Sequence, residues 1–196
     1  MLVLSSIAAI SGQVSPMSPM TEPTPGSLTW RQTGKLESQL VAGSDLVGTL
    51  RWEKDRGTLA TGESTEGSWT FTRVGFLTPK IVVHASGSKM SSATLTMKWT
   101  GGGMIEFPTG RSFQFAPKGF WRSEWSLTGP DQKRVLTIRP RFAWGAVGAS
   151  VDVERGAQPI RELPLLVILC WYTILLLSSD SADGAVVASL VATGTI

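Results

Sequence analysis

The sequence predicts a mainly β protein, with about twelve antiparallel strands closed into a barrel around a central, hydrophobic C-terminal helix. Three observations lead there. Apolar and polar residues alternate with a period of two in short segments from Leu28 to Val153, which is the pattern of half-buried strands. The chain has 21 glycines and 11 prolines in 196 residues, the punctuation of many short strands rather than of a helical bundle. Near the end, fifteen residues from Leu163 to Leu177 carry no charge and only two polar tips, Tyr172 and Thr173. A helix that is apolar all round must be surrounded by apolar groups, in lipid or inside protein.

The first segment, residues 1–26, runs from a short apolar stretch, Leu2 to Ile10, into Pro/Ser/Met/Thr sequence without periodicity, and is expected to be a disordered leader. It has no Lys or Arg before its apolar part, unlike a secretory signal. Residues 27–196 are expected to form one barrel domain, with the buried helix at about 163–178.

Within that domain, strands are expected at Leu28 to Arg31, Lys35 to Val41, Asp45 to Trp52, Thr58 to Glu63, Lys80 to His84, Gly103 to Phe107, Arg134 to Arg139 and Ala146 to Val153. Four more show the clearest alternation. "SWTFTR" sets Trp69 and Phe71 against Ser68, Thr70 and Thr72, and "LTMKW" sets Leu95, Met97 and Trp99 against Thr96 and Lys98. "SFQFA" does so with Phe113 and Phe115, and "FWRSEWSL" with Trp121, Ser123, Trp125 and Leu127 against Arg122 and Glu124. Turn clusters separate the strands, among them Ala42-Gly43-Ser44, Thr78-Pro79, Gly101-Gly102-Gly103 and Gly129-Pro130-Asp131. An open sheet this wide would leave long unpaired edges, so closure is expected.

As a helix, the apolar run would be roughly 22 Å long at about 1.5 Å per residue. A bilayer core is about 30 Å thick, so the length favours burial in the barrel. A single membrane span at 163–177 stays open as the alternative, with Ser178, Ser179 and the Ala/Val-rich stretch from Gly184 to Ala192 recruited to lengthen it. Pro164 suits the first turn and Asp180 to Gly184 reads as a stop. Cys170, the one cysteine, falls in this run and is expected to be a small buried hydrophobe; no intramolecular disulfide can form.

Catalytic chemistry finds no foothold. The one histidine, His84, ends an apolar strand, and no G-x-S-x-G elbow accompanies it. One histidine and one cysteine make no zinc site, so neither metal nor cofactor is expected. "TGGGM" lacks the lysine of a phosphate loop. The pairs Glu63/Glu66 and Asp152/Glu154 read as solvated carboxylates.

Charge is more informative. The chain carries a net +3, and between Arg111 and Arg141 seven basic residues face only Glu124 and Asp131. Arg111, Lys118, Arg122, Lys133, Arg134 and Arg139 are the candidate contacts for an anionic ligand by charge-assisted hydrogen bonding. Anionic phospholipid at a membrane surface, or a protein partner, suits them. Nucleic acid is disfavoured, because the aromatic residues that would stack on bases fall on the apolar strand faces.

Three stretches, "GSWTFTRVGF", "GRSFQFAPKGFWRSEWSLTGPDQKRVLTI" and the helix beginning "RELPLLVILCWYTILLL", together resemble the tubby C-terminal-like superfamily, which includes the phospholipid scramblases and LURP-one-related proteins. The resemblance spans about Leu28 to Ile196. It implies a twelve-stranded barrel around a central hydrophobic helix, and a non-enzymatic, membrane-associated regulator that is cytoplasmic or peripheral to a membrane. No phosphoinositide-site motif of the tubby proteins matches residue by residue. The acidic calcium segment that scramblases carry beside the helix is reduced here to Asp180 and Asp183, too few for an ion that takes about six to eight oxygens.

Overall fold

Alternation has the consequence it predicts. In the computed structural model, twelve antiparallel strands pair with their neighbours in chain order, and the first pairs with the last to close the barrel. The residues described are 17–19, 28–55, 57–75, 77–98, 101–119, 123–143, 146–157 and 159–192, with the backbone alone for 143, 146 and 181–192. The strands are β1 (Leu28–Gly34), β2 (Glu37–Ala42), β3 (Asp45–Trp52), β4 (Leu59–Ser64), β5 (Gly67–Val74), β6 (Lys80–Ala85), β7 (Ser91–Met97), β8 (Gly103–Glu106), β9 (Ser112–Lys118), β10 (Glu124–Thr128), β11 (Arg134–Ala143) and β12 (Ala146–Val153). A 3-10 turn, Arg155–Ala157, then leads into α1 (Leu163–Ala192). All twelve expected strands are present.

The inner faces are the apolar ones. Leu40, Leu50, Phe71, Ile81, Val83, Leu95, Ile105, Phe113, Phe115, Leu127, Ile138 and Val151 are fully or almost fully buried, and so is the helix from Leu163 to Ile174. Strand and helix residues belong to one continuous core. Three aromatic stacks stitch them together. Trp30 of β1 stacks on Trp171 at 5.8 Å, while Trp52 and Phe71 stack on Tyr172 at 4.8 and 5.3 Å. Trp69 is half-buried against the same core, and Trp99 and Trp121 lie outside the described residues.

The helix's two polar tips, Tyr172 and Thr173, both find hydrogen-bond partners, which lets them sit in an apolar lumen. Tyr172 donates its hydroxyl to the Thr58 carbonyl at 2.5 Å, and Thr173 donates to Leu169 one turn back at 2.7 Å. Buried polar groups are costly only when left without a partner. Room for the helix comes partly from Gly62 on β4: a β-carbon there would lie 2.5 Å from the Ile168 methyl and 2.7 Å from the Phe71 ring.

One expectation needs amendment. The stop expected at Asp180 to Gly184 does not end α1, which continues to Ala192. Ser178 and Ser179 donate back to the Ile174 and Leu175 carbonyls, holding the helix together where it emerges, and an interior glycine costs only about 1 kcal/mol. Within the segment expected to be a disordered leader, Met17–Pro19 are described, and the Ser18 amide donates to the Leu46 carbonyl at 2.7 Å. That carbonyl lies beside a register shift between β2 and β3, where the regular ladder is interrupted. The rest of residues 1–27 lies outside the described residues.

Candidate ligand-binding surfaces

An up-and-down barrel has two rims. The odd-numbered strands start, and the even-numbered strands end, at the rim where α1 enters, so the connections β2–β3, β4–β5, β6–β7, β8–β9 and β10–β11 lie there. The connections β1–β2, β3–β4, β5–β6, β7–β8, β9–β10 and β11–β12 form the opposite rim, from which α1 emerges. The lumen between them is occupied by α1, so the surfaces left for a ligand are the two rims and the outer wall.

The six candidate cations do not form one patch. Arg111, Lys133 and Arg134 lie at the entry rim, Arg139 lies on the wall, and Lys118 lies at the exit rim; Arg122 is outside the described residues. Each of the five described cations has an acidic neighbour. From the exit rim, Lys118 of β9 reaches Glu124 of β10 at 3.9 Å, and on the wall Arg139 of β11 bonds both Glu124, at 3.0 Å, and Asp152 of β12. This four-residue ladder raises the Arg139 guanidinium above its ordinary pKa, chiefly through its hydrogen bond to Asp152. At the entry rim Arg134 meets Glu154 at 3.9 Å and Lys133 meets Asp131 at 3.5 Å. Arg111 bonds Glu162, the residue before α1, at 2.7 Å and lies 5.5 Å over the Phe113 ring, so it also fixes the point of helix entry.

The exit rim contains what sequence reasoning missed. A cavity of about 340 Å³ opens there beside α1. Leu36, Trp52, Phe142, Val147, Leu175 and Leu176 form its apolar lining, with Lys35, Lys54, Asp55, Arg73 and Asp180 at its polar margin. Lys35 pairs with Asp55 at 2.6 Å and Arg73 with Asp180 at 2.5 Å, the latter tying β5 to the emerging helix. Three large apolar side chains are exposed on this rim: Val74, Leu77 and Phe142. Leu77 could have been suspected from sequence, since it is an apolar residue inside a Gly75-to-Pro79 turn. Phe142 gave no such signal; it shares the inward parity of Leu136 and Ile138 but lies where β11 outruns the core.

Among the described residues, no group of three or more His, Cys, Asp or Glu side chains is placed to hold a metal ion. His84 is part-buried on β6, paired in register with Thr70 and Ser91. Cys170 is fully buried, and burial pushes its thiol pKa well up, away from thiolate reactivity. By length and composition α1 could cross a membrane, yet 72% of its Leu163–Asp180 stretch is buried inside the protein. No protein-family model, curated protein or solved structure matches the chain.

Proposed function

We propose that this chain is a non-enzymatic binding module of the tubby-like barrel type, and that its ligand is anionic phospholipid, recognised by headgroup at the outer surface. The observation that carries this reading is the filled lumen: Leu163 to Ile174 is buried against strand side chains around the barrel. A barrel that holds a small substrate does so in its interior, and here a helix has taken that space. What remains is the exit-rim cavity beside the emerging helix and a basic exterior, with most of the described candidate cations exposed.

Their carboxylate partners do not disqualify them. An exposed ion pair contributes about 0–1 kcal/mol, so a multivalent anionic surface can take over the cation with little loss. Attraction to anionic lipid is about 1 kcal/mol per basic residue near the surface, enough for reversible attachment by several together. The reading places the protein in the cytoplasm or at a membrane periphery.

Vesicle co-sedimentation tests it. The full chain should pellet with phosphatidylcholine vesicles containing phosphatidylserine, less so as salt rises, and not with phosphatidylcholine alone. Equal recovery with the two lipid compositions would refute the reading.

A further inference from the structure

We infer that the barrel docks on the lipid surface end-on, through the rim from which α1 emerges, with Val74, Leu77 and Phe142 inserted among the lipids and Lys80, Lys98 and Arg141 against the headgroups. This rests on the phospholipid reading and adds an orientation to it. The first observation is where exposed apolar side chains fall. Among the described residues four large ones are exposed, and three are on this rim: Val74 at 44%, Leu77 at 93% and Phe142 at 55%. Leu77 and Val74 belong to β5 and its connection to β6, whereas Phe142 is on β11. In the closed order β5 and β11 stand on opposite sides of the barrel, so the apolar groups flank the helix exit rather than cluster at one spot. A flat apolar surface can meet all of them at once; a small ligand cannot.

The second observation is charge. Lys80 opens β6, Lys98 follows β7, and Arg141 lies two residues before the end of β11. All are exposed, and among the described residues no carboxylate lies within ion-pair distance of them. Apolar tips beside cations that have no carboxylate partner among the described residues match the layered chemistry of a bilayer surface, with anionic headgroups outside and acyl chains beneath. The entry rim differs in its apolar residues: among those described it exposes a single large one, Met90. Both rims carry carboxylates, Glu63, Glu66, Glu106, Asp131 and Glu154 at the entry rim and Glu37, Glu53, Asp55, Glu124 and Asp180 at the exit rim, but Lys80, Lys98 and Arg141 have none of the described ones as a partner.

The third is the course of α1. It leaves the barrel at this rim and stays helical to Ala192, about 18 Å beyond Asp180 at about 1.5 Å per residue. From Gly184 to Ala192 the sequence has no charged residue. The apolar extension thus issues from the one rim that is already apolar.

The test uses the full chain with vesicles of phosphatidylcholine and phosphatidylserine. Leu77→Glu combined with Phe142→Glu should weaken partitioning at least tenfold, since each removes an inserted apolar group and adds a charge of the wrong sign. Met90→Glu, at the other rim, should leave it unchanged. Leu77→Glu alone, at a site too exposed to disturb folding, should weaken binding several-fold. Undiminished binding by the double variant, or an equal loss with Met90→Glu, would overturn end-on docking while leaving the phospholipid reading intact. Wild-type protein that ignores phosphatidylserine overturns both. A lipid-independent dimer abolished by Leu77→Glu, with no vesicle binding, would assign the rim to a second copy and overturn both as well.

Discussion

Gly62 is where the luminal helix can be probed without touching it. Its position on β4 is paired with Leu50 and Trp69, and a β-carbon added there would meet Ile168 at 2.5 Å and Phe71 at 2.7 Å. Both neighbours are fully buried, so neither can swing into solvent. Overpacking of this kind costs about 1–3 kcal/mol, offset by about 0.5–1 kcal/mol because alanine loses less backbone entropy than glycine on folding. Gly62→Ala should therefore destabilise, by up to about 2.5 kcal/mol. Ile168→Ala should cost about 2–5 kcal/mol, through lost burial and the cavity it leaves. Together they should cost less than their sum by about 1 kcal/mol or more, because the new methyl enters the space vacated by Ile168 and Phe71 can relax toward it. Urea unfolding of the full chain, followed by tryptophan fluorescence, measures all three. If Gly62→Ala stabilises, or the two effects add within about 0.5 kcal/mol as independent sites do, then α1 does not lie against β4 in this register and the luminal arrangement is wrong.

Two further outcomes follow from the helix's buried titratable groups. Cys170 should resist thiol reagents in the native protein and react at one equivalent per chain after unfolding, as its full burial requires; fast labelling without denaturant would put this face of α1 outside the core. Tyr172 is the one tyrosine in the sequence, and desolvation holds its hydroxyl well above the usual phenol range. The unfolded phenol ionises near pH 10 and the unfolded thiol near 8.5. The native state keeps both protons longer, so stability is at its full value below these pH values and falls as pH rises through them. The combined slope is at most about 1.4 kcal/mol per pH unit for each group, and Tyr172→Phe should remove the component that begins near pH 10.

The strands were legible because each has one wet face, and period-two alternation survives in segments as short as Ser112 to Ala116. The lumen-filling helix was legible for the opposite reason, since Leu163 to Leu177 has no wet face at all. The charge pattern was only half legible. Counted along the chain, Arg111 to Arg141 is a basic block; folded, it is threaded with carboxylates from outside the block, because pairing of β11 with β12 brings Asp152 to Arg139, and the turn into α1 brings Glu162 to Arg111. Partners so distant in sequence cannot be seen until strand order is known. The exit rim was hidden for a related reason: Phe142 is far in sequence from Val74 and Leu77 and shares a rim with them only once the barrel closes.

A membrane span and a barrel core place the same demand on a helix, and length separates them. Strands of about seven residues rise about 23 Å, and a tilt of 35–45° lowers the wall to about 16–19 Å. The fourteen residues from Leu163 to Leu176, of which only Leu175 is not fully enclosed, rise about 20 Å, matching that wall and falling short of the roughly 30 Å of a bilayer core. Polarity returns where the wall ends: Ser178 and Ser179, then Asp180 held by Arg73. Drawing α1 into lipid would strip the inner faces of twelve strands of their packing partner and leave that ion pair without its acid. With the helix committed to the lumen, the surfaces left for a ligand are the rims and the outer wall, and the rim proposed to dock is the one where Leu77 and Phe142 are exposed beside cations that have no carboxylate partner among the described residues.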